Sequence, residues 1–239
     1  MFRALLIFIL FHIFNVLVRS ETDFTLECKR GYRIVSIKRV ANFYHNDTLG
    51  SLSIECERIH EGVNEVTCEA LQNIPQCNGL PEGCAGSQWL GGFHVYLIEN
   101  ATGAVLLDPI CCSTPSVRID AHSCVEDRLN SARSVFEHGI AEDLTYRGLR
   151  CWHQYNANQT LVDLVWKMEI CSFSTDSSID QNVASAAVVS KEMCPECACH
   201  CGIDTCANGR EPVRIIHKTR SKSGCGCECD CYFQCTRRK

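Results

Sequence analysis

The chain has 239 residues, 20 of them cysteine, and a formal net charge of −5. An even and very high cysteine count excludes an ordinary cytosolic domain and implies a disulfide framework made in an oxidising compartment. The charge is split, with 12 basic against 22 acidic residues from Glu21 to Ser190 and 9 against 6 from Lys191 to Lys239. An acidic body with a basic tail is not a nucleic-acid binder's profile, and nucleic acid is not an expected partner.

Residues 1–20 read as a signal peptide: Arg3, then a mostly apolar run from Ala4 to Val18, then Val18-Arg19-Ser20, with cleavage expected after Ser20. No later stretch is apolar enough to span a bilayer, so the expected product is secreted and not membrane-spanning. The sequons Asn46-Asp-Thr48, Asn100-Ala-Thr102 and Asn158-Gln-Thr160 fit that route, since a glycan needs an exposed loop.

Residues 21–174 are expected to form a disulfide-bonded, glycosylated α+β domain with about five bridges among its ten cysteines. Strands are predicted over Tyr32 to Ile37, Leu52 to Cys56, Phe93 to Ile98, Ala104 to Leu107 and Leu161 to Cys171. The last is the clearest, with Leu164, Trp166, Met168 and Ile170 on one face and Asp163, Val165, Lys167 and Glu169 on the other. Cys28 to Cys56 and Cys84 to Cys112 share one spacing, and each interval holds a strand, a sequon-bearing turn and a second strand. Asn158 stands in the same relation to its following strand, so hairpins with glycosylated tips are expected. A helix is predicted between a Ser123/Glu126 capping box and Gly139, on the stripe Val125, Leu129, Ala132 and Phe136. A shorter helix is predicted over Glu65 to Asn73, stopped before Pro75. No bridge between the neighbours Cys111 and Cys112 is expected.

Residues 175–193 lack cysteine, glycine and aromatics after Thr175 and read as a linker. Beyond it ten cysteines crowd into the 42 residues from Cys194 to Cys235. So short a segment with few large apolar side chains needs bridges to fold. The runs Cys194-x2-Cys197-x-Cys199-x-Cys201 and Cys225-x-Cys227-x-Cys229-x-Cys231, with His200, have the look of a thiolate metal cluster. An oxidising lumen favours disulfides over metal. Arg210, Arg214, Lys218, Arg220 and Lys222 crowd the interval between Cys206 and Cys225 and form a candidate binding loop for an acidic partner, sulfated glycans included.

Six tail cysteines read C-x6-C-x4-C-x18-C-x-C-x7-C: Cys194, Cys201, Cys206, Cys225, Cys227 and Cys235. That spacing, with its late C-x-C, resembles an EGF-like domain over residues 194–239. The resemblance implies the pairs Cys194–Cys206, Cys201–Cys225 and Cys227–Cys235 around a small two-stranded sheet. The interval after Cys206 is longer than that family's, the aromatic and glycine pattern before the last cysteine is missing, and Cys197, Cys199, Cys229 and Cys231 are additional. The acidic calcium ligands before the first cysteine are absent, so no calcium site is expected.

No G-x-S-x-G elbow, H-E-x-x-H pair or glycine-rich phosphate loop is present, and neither a cofactor nor a metal is expected. The fold class expected is therefore a small disulfide-rich α+β domain, hairpins plus one or two helices, followed by an EGF-like cysteine-rich module. The function expected is non-enzymatic recognition of a cell-surface receptor or other extracellular protein, as an adhesion factor or ligand. The EGF-like resemblance brings cell–cell interaction and gamete recognition into range. A structural matrix component is the main alternative, and a secreted protease inhibitor or hydrolase a further one.

Overall fold

Alternating apolar and polar residues dominate the chain, and alternation builds strands. The computed structural model describes residues 24–41, 49–60, 63, 65–71, 75–98, 104–175, 197–202, 205–207, 210–220 and 226–236. The expected signal peptide and most of the expected linker lie outside them, as do Asn46, Asn100, Cys194, Lys222 and Cys225. Fourteen strands are formed among the described residues: β1 (Phe24–Glu27), β2 (Tyr32–Ala41), β3 (Leu49–Arg58), β4 (Thr67–Ala70), β5 (Glu82–Gly83), β6 (Trp89–Leu97), β7 (Val105–Ser113), β8 (Val117–Ile119), β9 (Val125–Arg128), β10 (Phe136–Gly139), β11 (Leu144–Tyr155), β12 (Leu161–Thr175), β13 (Pro212–Arg220) and β14 (Cys227–Cys235). All five predicted strands are among them.

The expected α+β class is wrong: no α-helix forms among the described residues, and the protein is a disulfide-rich β structure. In place of the expected Ser123–Gly139 helix, β9 pairs with β12 and β10 pairs with β2. Ser123 does not cap a helix. Its hydroxyl donates to the Asp120 carbonyl at 2.7 Å and accepts from the Ser172 amide at 2.8 Å. A turn at Ser131 to Ser134, with Arg133 at φ +54°, reverses the chain where the helix would have continued. Pairing to two long strands and the Cys124–Cys171 bridge outweigh a four-residue helical stripe. The Glu65–Asn73 helix is likewise replaced by β4, which lies against β7 with Cys68 bonded to Cys112.

Three antiparallel hairpins, β2–β3, β6–β7 and β11–β12, organise the body. Each is stapled by a bridge from a cysteine preceding the hairpin to one on its second strand: Cys28–Cys56, Cys84–Cys111 and Cys124–Cys171. Cys68–Cys112 and Cys77–Cys151 complete the five body bridges, and Cys111 and Cys112 are not bonded to each other. The third hairpin belongs to the same repeat, with β9, a turn and β10 inserted between its cysteine and its strands.

Each hairpin is flanked by a strand on either side, giving the orders β1-β6-β7-β4, β10-β2-β3-β13-β14 and β5-β11-β12-β8, with β9 also on β12. Their inner faces meet in one core, in which Ile34, Ile37, Ile54, Phe93, Leu107, Leu149, Leu164, Trp166 and Met168 are all buried. Gly91 sits at a bulge in β6, where a Cβ atom would lie 2.2 Å from the Cys112 sulfur, so only glycine fits there. Arg39 and Asp163 are both fully buried and paired at 2.8 Å. Asp163 also accepts from the amides of Arg133 and Leu164, which compensates a charge that alternation alone places outside.

The tail continues the body's sheet. β13 lies parallel to β3, with Ile215 opposite Ile54 and Lys218 opposite Glu57, and β14 pairs antiparallel to β13. β13 thus occupies beside β3 the place that β4 and β8 occupy beside β7 and β12.

Candidate functional site: a charged groove shared by body and tail

The described tail bridges are Cys197–Cys227, Cys199–Cys229, Cys201–Cys231 and Cys206–Cys235. These replace the implied pairs Cys194–Cys206, Cys201–Cys225 and Cys227–Cys235, since Cys206, Cys201 and Cys227 each bond elsewhere. The reason is strand periodicity. Cys227, Cys229, Cys231 and Cys235 differ by even numbers, so on β14 their side chains share one face and hold the incoming 197–206 segment rung by rung. No described bridge links tail to body.

Non-covalent contacts dock the tail. The Lys29 amide donates to Nε2 of His217 at 2.9 Å, and the His217 ring meets the rings of Tyr32 and Tyr232 edge-on at 5.1 and 5.3 Å. Burial, then the nearby Lys29 ammonium, pushes His217 down to about 4. Lys29 also pairs with Asp230 at 2.8 Å, and the hydrogen bond its ammonium donates to the Asp230 carboxylate raises the lysine and lowers the carboxyl. Gln234 donates to the Thr25 carbonyl at 2.6 Å, and Val213 is fully buried in the common core.

On the opposite face of this sheet lies an open groove of about 450 Å³, lined in part by Ser36, Glu55, Glu57, Glu142, Cys197 and Lys218. Register explains the lining: Ser36 is opposite Glu55, Gly139 is opposite Ser36, and Glu57 is opposite Lys218. Four ion pairs frame it: Glu55–Lys218, Glu57–Arg33 at 3.1 Å, Glu137–Lys38 at 2.7 Å and Glu142–Arg220 at 2.7 Å. The buried Ser36 hydroxyl has no hydrogen-bond partner among the described residues. The lining therefore offers alternating charge and one unpaired hydroxyl.

The sequence-predicted residues divide. Lys218 and Arg220 reach the groove, but each is paired to a body carboxylate. Arg210 turns its Nε toward the Ala207 carbonyl at 3.4 Å, and Arg214 stands opposite Phe233 in the tail hairpin. Asn158 lies on the exposed turn between β11 and β12, its amide bonded to Asn156 Oδ1. Sequence reasoning missed the glutamates. Their signal was present in the alternation of Ile54 and Cys56 with Glu55 and Glu57, which turns both carboxylates outward.

A second polar cluster links Asp127, His138 and Tyr146. His138 contacts Asp127 at 3.0 Å through Nε2 and the Tyr146 hydroxyl at 2.7 Å through Nδ1, and its hydrogen bond lowers the Asp127 carboxyl. The Tyr146 ring is buried, which raises its hydroxyl's pKa, and the hydroxyl donates to the His138 carbonyl at 3.0 Å. This chain of contacts ties β9, β10 and β11 together.

No protein-family model, curated protein or solved structure matches the chain. All the described cysteines are bridged, as in proteins matured in an oxidising, extracytoplasmic compartment. No helix among the described residues is long and apolar enough to cross a membrane.

Proposed function

We propose that this is a secreted, non-enzymatic recognition protein that acts as an adhesion factor or ligand at a cell surface, in cell–cell interaction such as gamete recognition. The supporting observation is the groove in which body and tail side chains interlock. Most of its lining comes from strands of one five-stranded sheet, and Cys197, also in the lining, is held by a bridge to β14. Preorganised walls lose little entropy on binding. Because its cations are already met by carboxylates, the face suits a protein epitope carrying both signs of charge better than a sulfated glycan, which presents one.

The test is binding of purified glycoprotein to the cells it meets in its native tissue. Reversing Glu137 to lysine, or Arg220 to glutamate, should weaken binding about tenfold while secretion stays normal. Full binding by both variants, with loss on replacing Asn158 by glutamine, would move recognition to the glycan and sink the proposal.

A further inference from the structure

Among the described residues, the first two tail bridges, Cys197–Cys227 and Cys199–Cys229, form an unusual group of sulfurs. The Sγ atoms of Cys197, Cys199, Cys227 and Cys229 all lie within 4.8 Å of one another, and those of Cys227 and Cys229, which are not bonded to each other, are 3.7 Å apart. Two disulfides are thus in reach of exchange with each other. The five body bridges each contain a cysteine exposed by 3% or less, whereas Cys199 is half-buried and Cys229 exposed. The flanking charges complete the arrangement. Lys218 stands opposite Cys229 and Arg220 opposite Cys227 on the same sheet face, and both cations line the groove with Cys197. Lys218 is paired with Glu55 and Arg220 with Glu142, so each cation's field is shared with a carboxylate. A cation beside a departing sulfur stabilises the thiolate and speeds its release. Cys231, one rung further, stands opposite Ile216 and has no such neighbour across the pair.

From this geometry we propose that Cys197, Cys199, Cys227 and Cys229 form a thiol–disulfide exchange site, opened by an external thiolate that reaches the half-buried Cys199. The thiolate, its proton already given to solvent, attacks Sγ of Cys199. A mixed disulfide forms there, the Cys199–Cys229 bond breaks, and Cys229 leaves as a thiolate beside Lys218. The Cys229 thiolate then attacks Cys227 at 3.7 Å, the Cys227–Cys229 bond forms, and Cys197 leaves with the electron pair of the old Cys197–Cys227 bond. Two disulfides and one thiolate stand on each side of both steps, so no oxidant or reductant is consumed. The outcome is covalent capture of a thiol-bearing molecule on the tail, with every body bridge intact. The inference uses the groove's geometry and is independent of the recognition reading, because its readout is which cysteines exchange and not whether cells are bound.

The experiment exposes the native glycoprotein at neutral pH to glutathione or, in a parallel arm, to a protein dithiol whose second cysteine is replaced by serine. Timed samples are quenched with N-ethylmaleimide and mapped by mass spectrometry. Adducts should appear on Cys199, with maleimide on Cys229 and Cys197, about tenfold faster than any opening of Cys201–Cys231 and before any body bridge. Capture only from glutathione identifies a small-thiol site, and capture only from the protein identifies a protein partner. Either supports the proposal, and capture from neither overturns it. Replacing Cys197 and Cys227 by serine should confine maleimide to Cys229. Lys218→Gln should slow opening severalfold without changing Cys201–Cys231. An unchanged rate in Lys218→Gln, equal opening of Cys201–Cys231, or stoichiometric zinc on tail thiols of the native protein would each overturn the proposal.

Discussion

The body and the tail solve one problem in opposite ways. The body buries its bridges inside an apolar core: Cys56, Cys151, Cys111 and Cys171 are at most 2% exposed, among Ile, Leu, Phe and Trp side chains. The tail buries little of its own, and seven of the nine residues of β14 are exposed. Its described bridges are an external lattice, and among the described residues it gains a core by setting Val213, Ile215 and His217 against the body. Burial and cross-linking are thus alternative sources of order, and a chain short of one uses the other.

That contrast is broken most severely at Asp163. Changing it to alanine leaves the buried Arg39 guanidinium without its carboxylate partner, a loss of about 3–5 kcal/mol. Secretion should fall sharply, and released protein should melt far lower by calorimetry. Wild-type secretion and melting would mean that the body does not depend on this pair.

The joint between the two regions should be sensitive to acid. His217 is neutral when docked, with its value pushed down to about 4 against an ordinary 6.5. Between those values the undocked tail holds a proton that the docked tail does not. Docking is therefore fully stable above about pH 6.5 and loses up to about 3 kcal/mol as pH falls toward 4. Hydrogen exchange along Val213–Lys218 should accelerate over that window while Leu164–Ile170 stays protected. His217→Gln, which still offers an acceptor to the Lys29 amide, should flatten the dependence, and an unflattened one would assign it to other groups.

Much of this architecture is legible in the residues alone. Alternation locates all five predicted strands, and the shared interval of Cys28–Cys56 and Cys84–Cys112 announces the first two hairpins. The third is announced only at its tip, by Asn158 before its second strand, because an insertion separates Cys124 from β11 and because the inserted residues imitate a capped helix. Val125 falls on the apolar stripe, yet it is 60% exposed at a sheet margin. Local pattern does not reveal that a long neighbour, β12, awaits a partner. In the tail, choosing six cysteines to fit an EGF-like spacing conceals the evenly stepped remainder. The groove is half visible: Lys218 and Arg220 stand out as cations, but the carboxylates that meet them arrive from β3 and the segment after β10, about 80 to 165 residues away.

Smaller effects sharpen the comparison at the surface. Lys38→Ala removes an ion pair with Glu137 whose partners are both largely exposed, so stability should change by less than about 1 kcal/mol. A larger change in the melting curve would show the groove rim to be structurally coupled to the core. Asn158→Gln should remove one glycan's mass and alter stability by no more than about 0.5 kcal/mol, since the turn is exposed. An unchanged mass would mean that this sequon is not used.

The even stepping of the tail cysteines makes the chain behave like a ruler. Three successive rungs, Cys197–Cys227, Cys199–Cys229 and Cys201–Cys231, share one offset of 30 residues. The residues between two rungs point away from them, so the bridges themselves place no demand on their identity. A single insertion or deletion inside 227–231 would turn every later sulfur to the wrong side of the strand, leaving a thiol without its mate. Over evolutionary time the bridges therefore constrain this segment's length more than its letters. The surviving copies of such a tail should differ in composition while keeping the same count between cysteines.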